Sequence, residues 1–191
     1  KTGVASPRLA KGDGSVASNG FWSALTMATT LKLPLLFFIE DNQYAISVVG
    51  NLQTPGHNIA ANLAAFSDLR VMESDGTQPP EAAEKVAEAV KHVRAGHGPC
   101  LLRVRVPRLN GHSFTDNQAY KTVEQRAEEA ARDPLLRLRA YLSNLDWGTL
   151  ENDVQREVRA ALEAAQANPE GDPATATQHL FFTGQPQSVG G

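Results

Sequence analysis

The order of three segments constrains the fold of this chain most strongly. Leu35 to Ile39 is a short, continuous and aromatic-rich apolar run, which is typical of a strand buried on both faces. A helical segment begins at Pro79, and residues 100–106 form a second apolar strand. Strand, helix and strand in this order favour right-handed crossovers in a parallel sheet covered by helices. The sequence therefore predicts an α/β fold, and the predicted buried stripe of its helix comprises Ala83, Val86, Val90 and Val93.

Further elements are predicted on either side of the Leu35 strand. Apolar residues at helical spacing after Gly14 indicate a helix that ends near Pro34. A short helix is expected around residues 58–66, and a strand over residues 70–73. The segment from Lys1 to Lys11 contains proline and several basic residues, so we do not expect it to form a strand.

The character of the chain changes after Pro107. Residues 108–121 are polar and lack either period, which indicates a long functional loop. Two or three helices follow, beginning with a capping box at Thr122, and a Pro- and Gly-rich tail starts at Pro169. We therefore expect a partial binding domain over residues 1–121, a helical region over 122–168 and an extended tail over 169–191. The apolar Leu180 to Phe182 segment is a candidate for docking on a partner.

Composition excludes several classes of function. The 18 basic and 21 acidic residues are mixed along the chain and sum to a formal charge of −3, so no nucleic-acid partner is expected. No apolar run approaches the roughly 20 residues that cross a bilayer, and no charged-then-apolar leader opens the sequence. We expect no membrane association and a cytoplasmic location. The single cysteine, Cys100, is expected to be a buried strand residue.

Gly12-Asp13-Gly14 and Asn42 carry the most informative chemistry. In a parallel sheet, the loop that contains Asp13 and the loop that contains Asn42 reach the same carboxyl edge, where α/β folds bind ligands. A carboxylate and an amide oxygen suit Mg²⁺, and the flanking glycines allow the backbone to approach a diphosphate at a helix start. The plainer interpretation is that Gly-Asp-Gly is a tight turn and Asp-Asn ordinary loop chemistry.

Taken with the rest of the chain, these motifs resemble the α subunit of thiamine diphosphate-dependent 2-oxo acid dehydrogenases. Gly12-Asp13-Gly14 with Asn42 is similar to the Gly-Asp-Gly…Asn signature of that family, and residues 41–47 look like its segment after the strand. The resemblance implies a thiamine diphosphate-binding fold with thiamine diphosphate and Mg²⁺ as cofactors. It places Asp13, Asn42 and the backbone oxygen of Tyr44 on the metal. The cofactor-binding residues that it implies are Gly12, Asp13, Gly14, Ser15, Asn42, Tyr44, Ala45, Ile46, Arg108 and His112.

A second resemblance lies in the loop from Arg108 to Asp116, followed by Ala119-Tyr120-Lys121. In the family, the histidine of Gly-His-Ser lies beside the cofactor, which makes His112 and its neighbour Ser113 the catalytic candidates. An imidazole suits proton transfer near neutral pH. Arg108 is expected to contact the diphosphate or to anchor the loop. Ser113 resembles a regulatory phosphorylation position, and Lys121 stands where an arginine is usual.

The resemblance implies oxidative decarboxylation of a 2-oxo acid and acyl transfer to lipoyl groups. The expected partners are a β subunit and a lipoyl-bearing acyltransferase component. Residues 133–142 look nearer to branched-chain than to pyruvate relatives. The chain looks like the carboxyl-terminal part of an α subunit, inactive without the rest. Two alternatives stay open: another thiamine diphosphate enzyme of acetoin dehydrogenase or transketolase type, and a non-catalytic assembly fragment.

Overall fold

The computed structural model describes residues 8–178, with side chains from Gly12 onward. Its centre is a four-stranded sheet in which all neighbouring strands are parallel, in the order β1-β2-β6-β5. These strands are β1 (Arg8–Gly12), β2 (Leu36–Asp41), β5 (Arg70–Asp75) and β6 (Cys100–Arg105). A small antiparallel hairpin, β3 (Tyr44–Ala45) with β4 (Val48–Val49), follows β2. The predicted parallel α/β sheet is therefore confirmed.

Two apolar clusters lie on the sheet. The first cluster joins α1 (Asn19–Thr30) and α2 (Ile59–Asn62) to Phe37 and Ile39 of β2. The second cluster joins α3 (Pro79–Arg94) to side chains of β2, β5 and β6, including Cys100. Successive side chains of β2 enter different clusters, because neighbouring side chains of a strand point to opposite faces of the sheet. The sheet is thus flanked by helices, and Cys100 is buried as predicted.

Three local expectations need correction. The segment around Arg8 is a strand after all: β1 pairs with β2 in register from Arg8 opposite Leu36 to Gly12 opposite Glu40. Backbone pairing with a neighbouring strand overrides the weak strand propensity of its residues. The buried stripe of α3 contains Ala89 and Val93, whereas Ala83 is exposed. The predicted 58–66 helix is confined to α2.

Three further helices follow the long loop, namely α4 (Val123–Ala131), α5 (Pro134–Tyr141) and α6 (Trp147–Ala167). The predicted capping box is present at the start of α4, where Thr122 and Gln125 cap each other's backbone N–H groups. In the described part of the chain, no helix is long and apolar enough to span a membrane.

Contacts divide the chain into two compact units, Lys1–Ser143 and Asn144–Gly191. In this division α4 and α5 belong to the unit that contains the sheet. The boundaries expected from the sequence, after residues 121 and 168, stay a prediction. The candidate docking segment 180–182 lies outside the described residues.

Candidate functional site

Asp13 and Asn42 meet at the carboxyl edge of the sheet. Asp13 follows β1 and begins a short 3-10 turn that runs to Ala17, while Asn42 follows β2. Because β1 and β2 are parallel neighbours, their ends bring the two residues together, and the Asn42 backbone N–H donates to Asp13 Oδ1 at 3.4 Å. The Asn42 side-chain oxygen accepts the Tyr44 N–H at 3.0 Å, which tightens the turn into the hairpin.

The Asp13 carboxyl lies in an unfavourable place for a negative charge. Asp13 is only 6% exposed, and its Oδ2 accepts a 3.4 Å hydrogen bond from Gln53 Nε2. Burial, together with the negative charge of nearby Asp41, raises the pKa of Asp13 to about 6. A cation beside this carboxyl would offset both effects.

Gly14 permits a close approach between the 3-10 turn and the hairpin. A Cβ atom built on Gly14 would lie 2.4 Å from Ala45 Cβ and 2.9 Å from Ala45 Cα, so no larger residue fits without movement. A Cβ atom on Gly12 would meet nothing within 4 Å. Ser15 Oγ donates to the Gly12 carbonyl at 2.8 Å and closes the turn. Of the two glycines, Gly14 is therefore the one that the packing requires.

The base of the 108–121 loop is held against the same hairpin. Arg108 is buried, and its Nη1 donates to the Ile46 carbonyl at 2.5 Å. Its guanidinium lies 5.7 Å from the ring centroid of Tyr44 and 6.0 Å from that of Tyr120. The buried Lys121 Nζ pairs with Glu129, donates to the Arg108 carbonyl and lies 4.8 Å from the Tyr44 ring centroid. These contacts favour the loop-anchoring role of Arg108 over direct contact with a diphosphate.

The tip of this loop is exposed. The side chains of His112 and Ser113 face solvent, and Phe114 is fully exposed. The Asp116 carboxylate stabilises the tip, because it accepts hydrogen bonds from the His112 N–H at 2.6 Å and the Gln118 N–H at 2.8 Å. These hydrogen bonds lower the pKa of Asp116. Within the described residues, no hydrogen bond or ion pair joins His112 or Ser113 to Asp13 or Asn42. The structure thus brings Asp13 and Asn42 into contact, whereas the two catalytic candidates are not bonded to them.

An ion network next to the Asn42 turn, which the sequence did not predict, joins the buried Arg103 and Asp41 to the exposed Glu73. Arg103 Nε donates to Asp41 Oδ2 at 2.5 Å, and Arg103 Nη1 donates to Glu73 Oε2 at 2.5 Å. An arginine inside the apolar strand of residues 100–106 was the available signal, because a buried cation requires an acidic partner. Gln53 was missed as well, and it carries no motif that could have identified it.

The donor set at this edge fits a hard cation with a diphosphate. Among the described residues no three His, Cys, Asp or Glu side chains converge, so a cation here would depend on Asp13 and neutral oxygens. One such oxygen, Gln53 Oε1, is buried without a hydrogen-bond partner beside Gly14. One carboxylate with a few neutral oxygens leaves positions for phosphate oxygens, as Mg²⁺ prefers.

Comparisons with known proteins agree on one family. A family model described as dehydrogenase E1 component matches residues 6–178. The chloroplastic pyruvate dehydrogenase E1 component subunit alpha-3 of Arabidopsis thaliana is 30% identical over 176 residues, which cover 89% of this chain and 41% of that protein. The corresponding alpha subunit of Porphyra purpurea is 27% identical and covers 89% of this chain and 51% of that protein. That of Staphylococcus aureus is 29% identical over 185 residues, with 93% and 50% covered. The chain thus spans about half the length of these relatives.

Proposed function

The chain belongs to the dehydrogenase E1 component family, and from that premise we propose that it forms the diphosphate-side part of the α subunit of a thiamine diphosphate-dependent 2-oxo acid dehydrogenase. The observation that carries the proposal is the contact between Asp13 and Asn42 at the carboxyl edge of the sheet. The relatives named as pyruvate dehydrogenase E1 alpha subunits support the same assignment.

Asp13 and Asn42 would hold Mg²⁺. The Asp13 carboxylate would supply the charged ligand, and the Asn42 amide oxygen and the Tyr44 backbone oxygen the neutral ones. For Asn42 to bind through Oδ1, the metal must share this oxygen with the Tyr44 N–H, which a carbonyl oxygen with two lone pairs permits. Gly14 would keep the 3-10 turn that carries Asp13 packed against Ala45 of the hairpin, next to the Tyr44 oxygen.

Bound thiamine diphosphate supplies the nucleophilic carbon and the electron sink that decarboxylation of a 2-oxo acid requires. The contribution of this chain is placement and proton handling. His112 would accept or donate a proton at a ring nitrogen. Its backbone N–H is bound by Asp116, and its exposed side chain can face a partner surface. Arg108 and Lys121 would keep the base of the loop in position.

The partners follow from the half-site character of the chain. We expect a β subunit to complete the cofactor pocket and a lipoyl-bearing acyltransferase component to take the acyl group. The exposed tip at Phe114 is the part of the loop that a neighbouring subunit can cover.

Release of carbon dioxide from a 2-oxo acid by the complex of the full α chain with its β partner tests the assignment. Asp13→Ala should abolish this release, because the cation loses its only carboxylate. Asp153→Ala, which removes a half-exposed carboxylate of α6, is the matched control and should retain it. Unchanged carbon dioxide release by Asp13→Ala would sink the proposal.

The role of His112 is tested separately. His112→Asn in the same complex should lower kcat by about 100-fold, the lower end of the range for a lost acid or base. Binding of Mg²⁺ and thiamine diphosphate should be retained, because in the described residues the exposed His112 side chain forms no hydrogen bond or ion pair with Asp13 or Asn42. A variant with the kcat of the wild type would remove His112 from the catalytic machinery.

The 2-oxo acid itself is decided by substrate profiling. The names of the relatives favour pyruvate, and the sequence of residues 133–142 favours a branched-chain substrate. Turnover of an α-hydroxyketone or a ketose in place of 2-oxo acids would instead favour an enzyme of acetoin dehydrogenase or transketolase type. Calorimetry with thiamine diphosphate and Mg²⁺ tests the assembly alternative, which predicts heat only when the β partner is present.

A further inference from the structure

A second carboxylate, that of Asp41, lies close to Asp13 of the candidate cation site, and protein donors already bind it. Asp13 directly follows β1 and Asp41 is the last residue of β2, and the two side chains line one small cavity because these strands are parallel neighbours. The Asp41 side chain is 3% exposed, so water does not screen its charge. Two carboxylates at one edge would make a strong divalent cation site without any phosphate.

Arg103 occupies the Asp41 carboxylate. Its Nε contacts Asp41 Oδ2 at 2.5 Å, and its own side chain is only 7% exposed. Both nitrogen atoms of Gln43 contact the remaining oxygen, with the backbone N–H at 3.1 Å from Oδ1 and Nε2 at 2.5 Å. Both carboxylate oxygens of Asp41 are therefore engaged by protein donors.

The same guanidinium ties several segments together. Arg103 Nη1 pairs with Glu73 of β5, and Nη2 donates to the His57 carbonyl at 3.4 Å. Glu73 in turn accepts a 3.2 Å hydrogen bond from Asn58, which caps α2. Arg103 thus sits between the turn after β2, the loop before α2 and strand β5, where a buried charge with a fixed fork of donors holds a single geometry.

We propose that Arg103 is a positioning residue that keeps the Asp41 carboxylate out of the cation site. Asp13 then offers the metal a single carboxylate, and tight metal binding requires the phosphate oxygens of the cofactor. This inference rests on the proposed function, because it concerns the cation site formed by Asp13 and Asn42. Arg103 would thereby lower the affinity of the site for the metal alone, so that the metal binds together with the diphosphate instead of before it.

The experiment measures binding of Mn²⁺, a spectroscopic substitute for Mg²⁺, by the EPR signal of the free ion. The full α chain assembled with its β partner is titrated with and without thiamine diphosphate. The wild type should bind Mn²⁺ weakly alone and tightly with the cofactor. Arg103→Met should bind Mn²⁺ alone about tenfold more tightly, because a second carboxylate is released to the metal.

Two further variants separate positioning from mere folding. Arg105→Met removes another arginine of β6, one whose side chain is 56% exposed. This variant should bind Mn²⁺ like the wild type. The double variant Asp41→Asn/Arg103→Met removes both members of the pair and so avoids an unpaired buried charge. It should return Mn²⁺ affinity without cofactor to the weak wild-type value, and it should retain tight binding with cofactor.

The outcomes distinguish the two claims. Loss of tight Mn²⁺ binding in the double variant would identify Asp41 as a metal ligand and overturn the inference, as would unchanged Mn²⁺ affinity in a folded Arg103→Met. If Arg103→Met does not assemble, Arg103→Gln takes its place, because a neutral amide keeps a donor but no longer neutralises Asp41. It should bind Mn²⁺ alone more tightly than the wild type, and an unchanged affinity would overturn the inference. The proposed function fails instead if the wild type shows no cofactor-dependent Mn²⁺ binding, or if Asp13→Asn binds Mn²⁺ as tightly as the wild type.

Discussion

The two halves of the candidate site differ in how they are held. In the first half, Asp13 is buried and Asn42 is half-buried at the carboxyl edge of the sheet, where parallel strands, the Gly14 contact and hydrogen bonds position them. The His112 half is an exposed loop tip whose base is fixed at Arg108, Asp116 and Lys121. The first half is held by contacts within the described residues. The second half presents side chains that only another surface can enclose.

This contrast matches the division of labour in the proposed chemistry. A metal and a diphosphate require fixed oxygen ligands, which a sheet edge supplies. A group that moves protons benefits from a loop that a neighbouring subunit can close over. Substitutions should therefore affect stability strongly at the sheet edge and at the loop base, and weakly at the loop tip.

The largest effect is expected at the loop base. Lys121→Met removes a fully buried ammonium group and leaves Glu129 and the Arg108 carbonyl without their partner. We expect the free energy of unfolding to fall by about 3 kcal/mol, as when a buried pair is broken. Urea unfolding measures this change. Lys85→Met, in an exposed pair with Glu88, is the control and should cost less than about 1 kcal/mol. Equal costs would show that the loop base is as loosely held as the surface.

The next effect compares the two glycines of the motif. Gly14→Ala places a methyl group into Ala45 and should lower the free energy of unfolding by about 1–3 kcal/mol, as overpacking does. Gly12→Ala meets open space and should change it by less than about 0.5 kcal/mol. Thermal unfolding of both variants checks the difference. If Gly14→Ala is as stable as Gly12→Ala, the close approach to the hairpin is not a constraint.

A smaller effect, of opposite sign, is expected at Asp13 in metal-free protein. Its pKa is about 6 when folded and 3.8 in the absence of the fold, so the unfolded chain ionises first as the pH rises. The free energy of unfolding therefore falls between these two pKa values and stays lowered above pH 6. Asp13→Asn should remove this loss of about 3 kcal/mol. Because it also weakens the hydrogen bonds that Asp13 accepts from Asn42 and Gln53, the net stabilisation at neutral pH should be about 1–2 kcal/mol.

Chemical unfolding in EDTA at two pH values tests the prediction for Asp13. The pH-dependent part of the difference between variant and wild type should be present at neutral pH and absent well below pH 3.8, where both states of the wild type carry the proton. An Asp13→Asn chain that is less stable than the wild type at neutral pH would show that the carboxylate is favourable without a cation.

The smallest effect is expected at the loop tip. Phe114 is fully exposed, so Phe114→Ala should change the free energy of unfolding by less than about 0.5 kcal/mol. Addition of the β partner sharpens the test, because a tip that docks should then show protection from hydrogen exchange that Phe114→Ala weakens. A destabilised Phe114→Ala chain without any partner would contradict the contrast between base and tip.

Much of the fold could be predicted from the sequence because its signals are local. The apolar run at Leu35 predicts β2, helical spacing after Gly14 predicts α1, and the Thr122 capping box predicts the start of α4. The juxtaposition of Asp13 and Asn42 was also predictable, since it follows from two strands that end at one edge. β1 was not, because its residues have weak propensity and its pairing with β2 is a property of the assembled sheet.

The motifs, their order along the chain and the family that they indicate can all be read from the amino-acid sequence. The folded chain adds that Gly14 and not Gly12 is sterically required, that Arg108 binds the hairpin, and that Arg103 pairs with Asp41. Each of these depends on distances between segments far apart in the chain. Residue type and spacing establish which groups are available, whereas burial and approach across the sheet edge establish which of them remain free for a ligand.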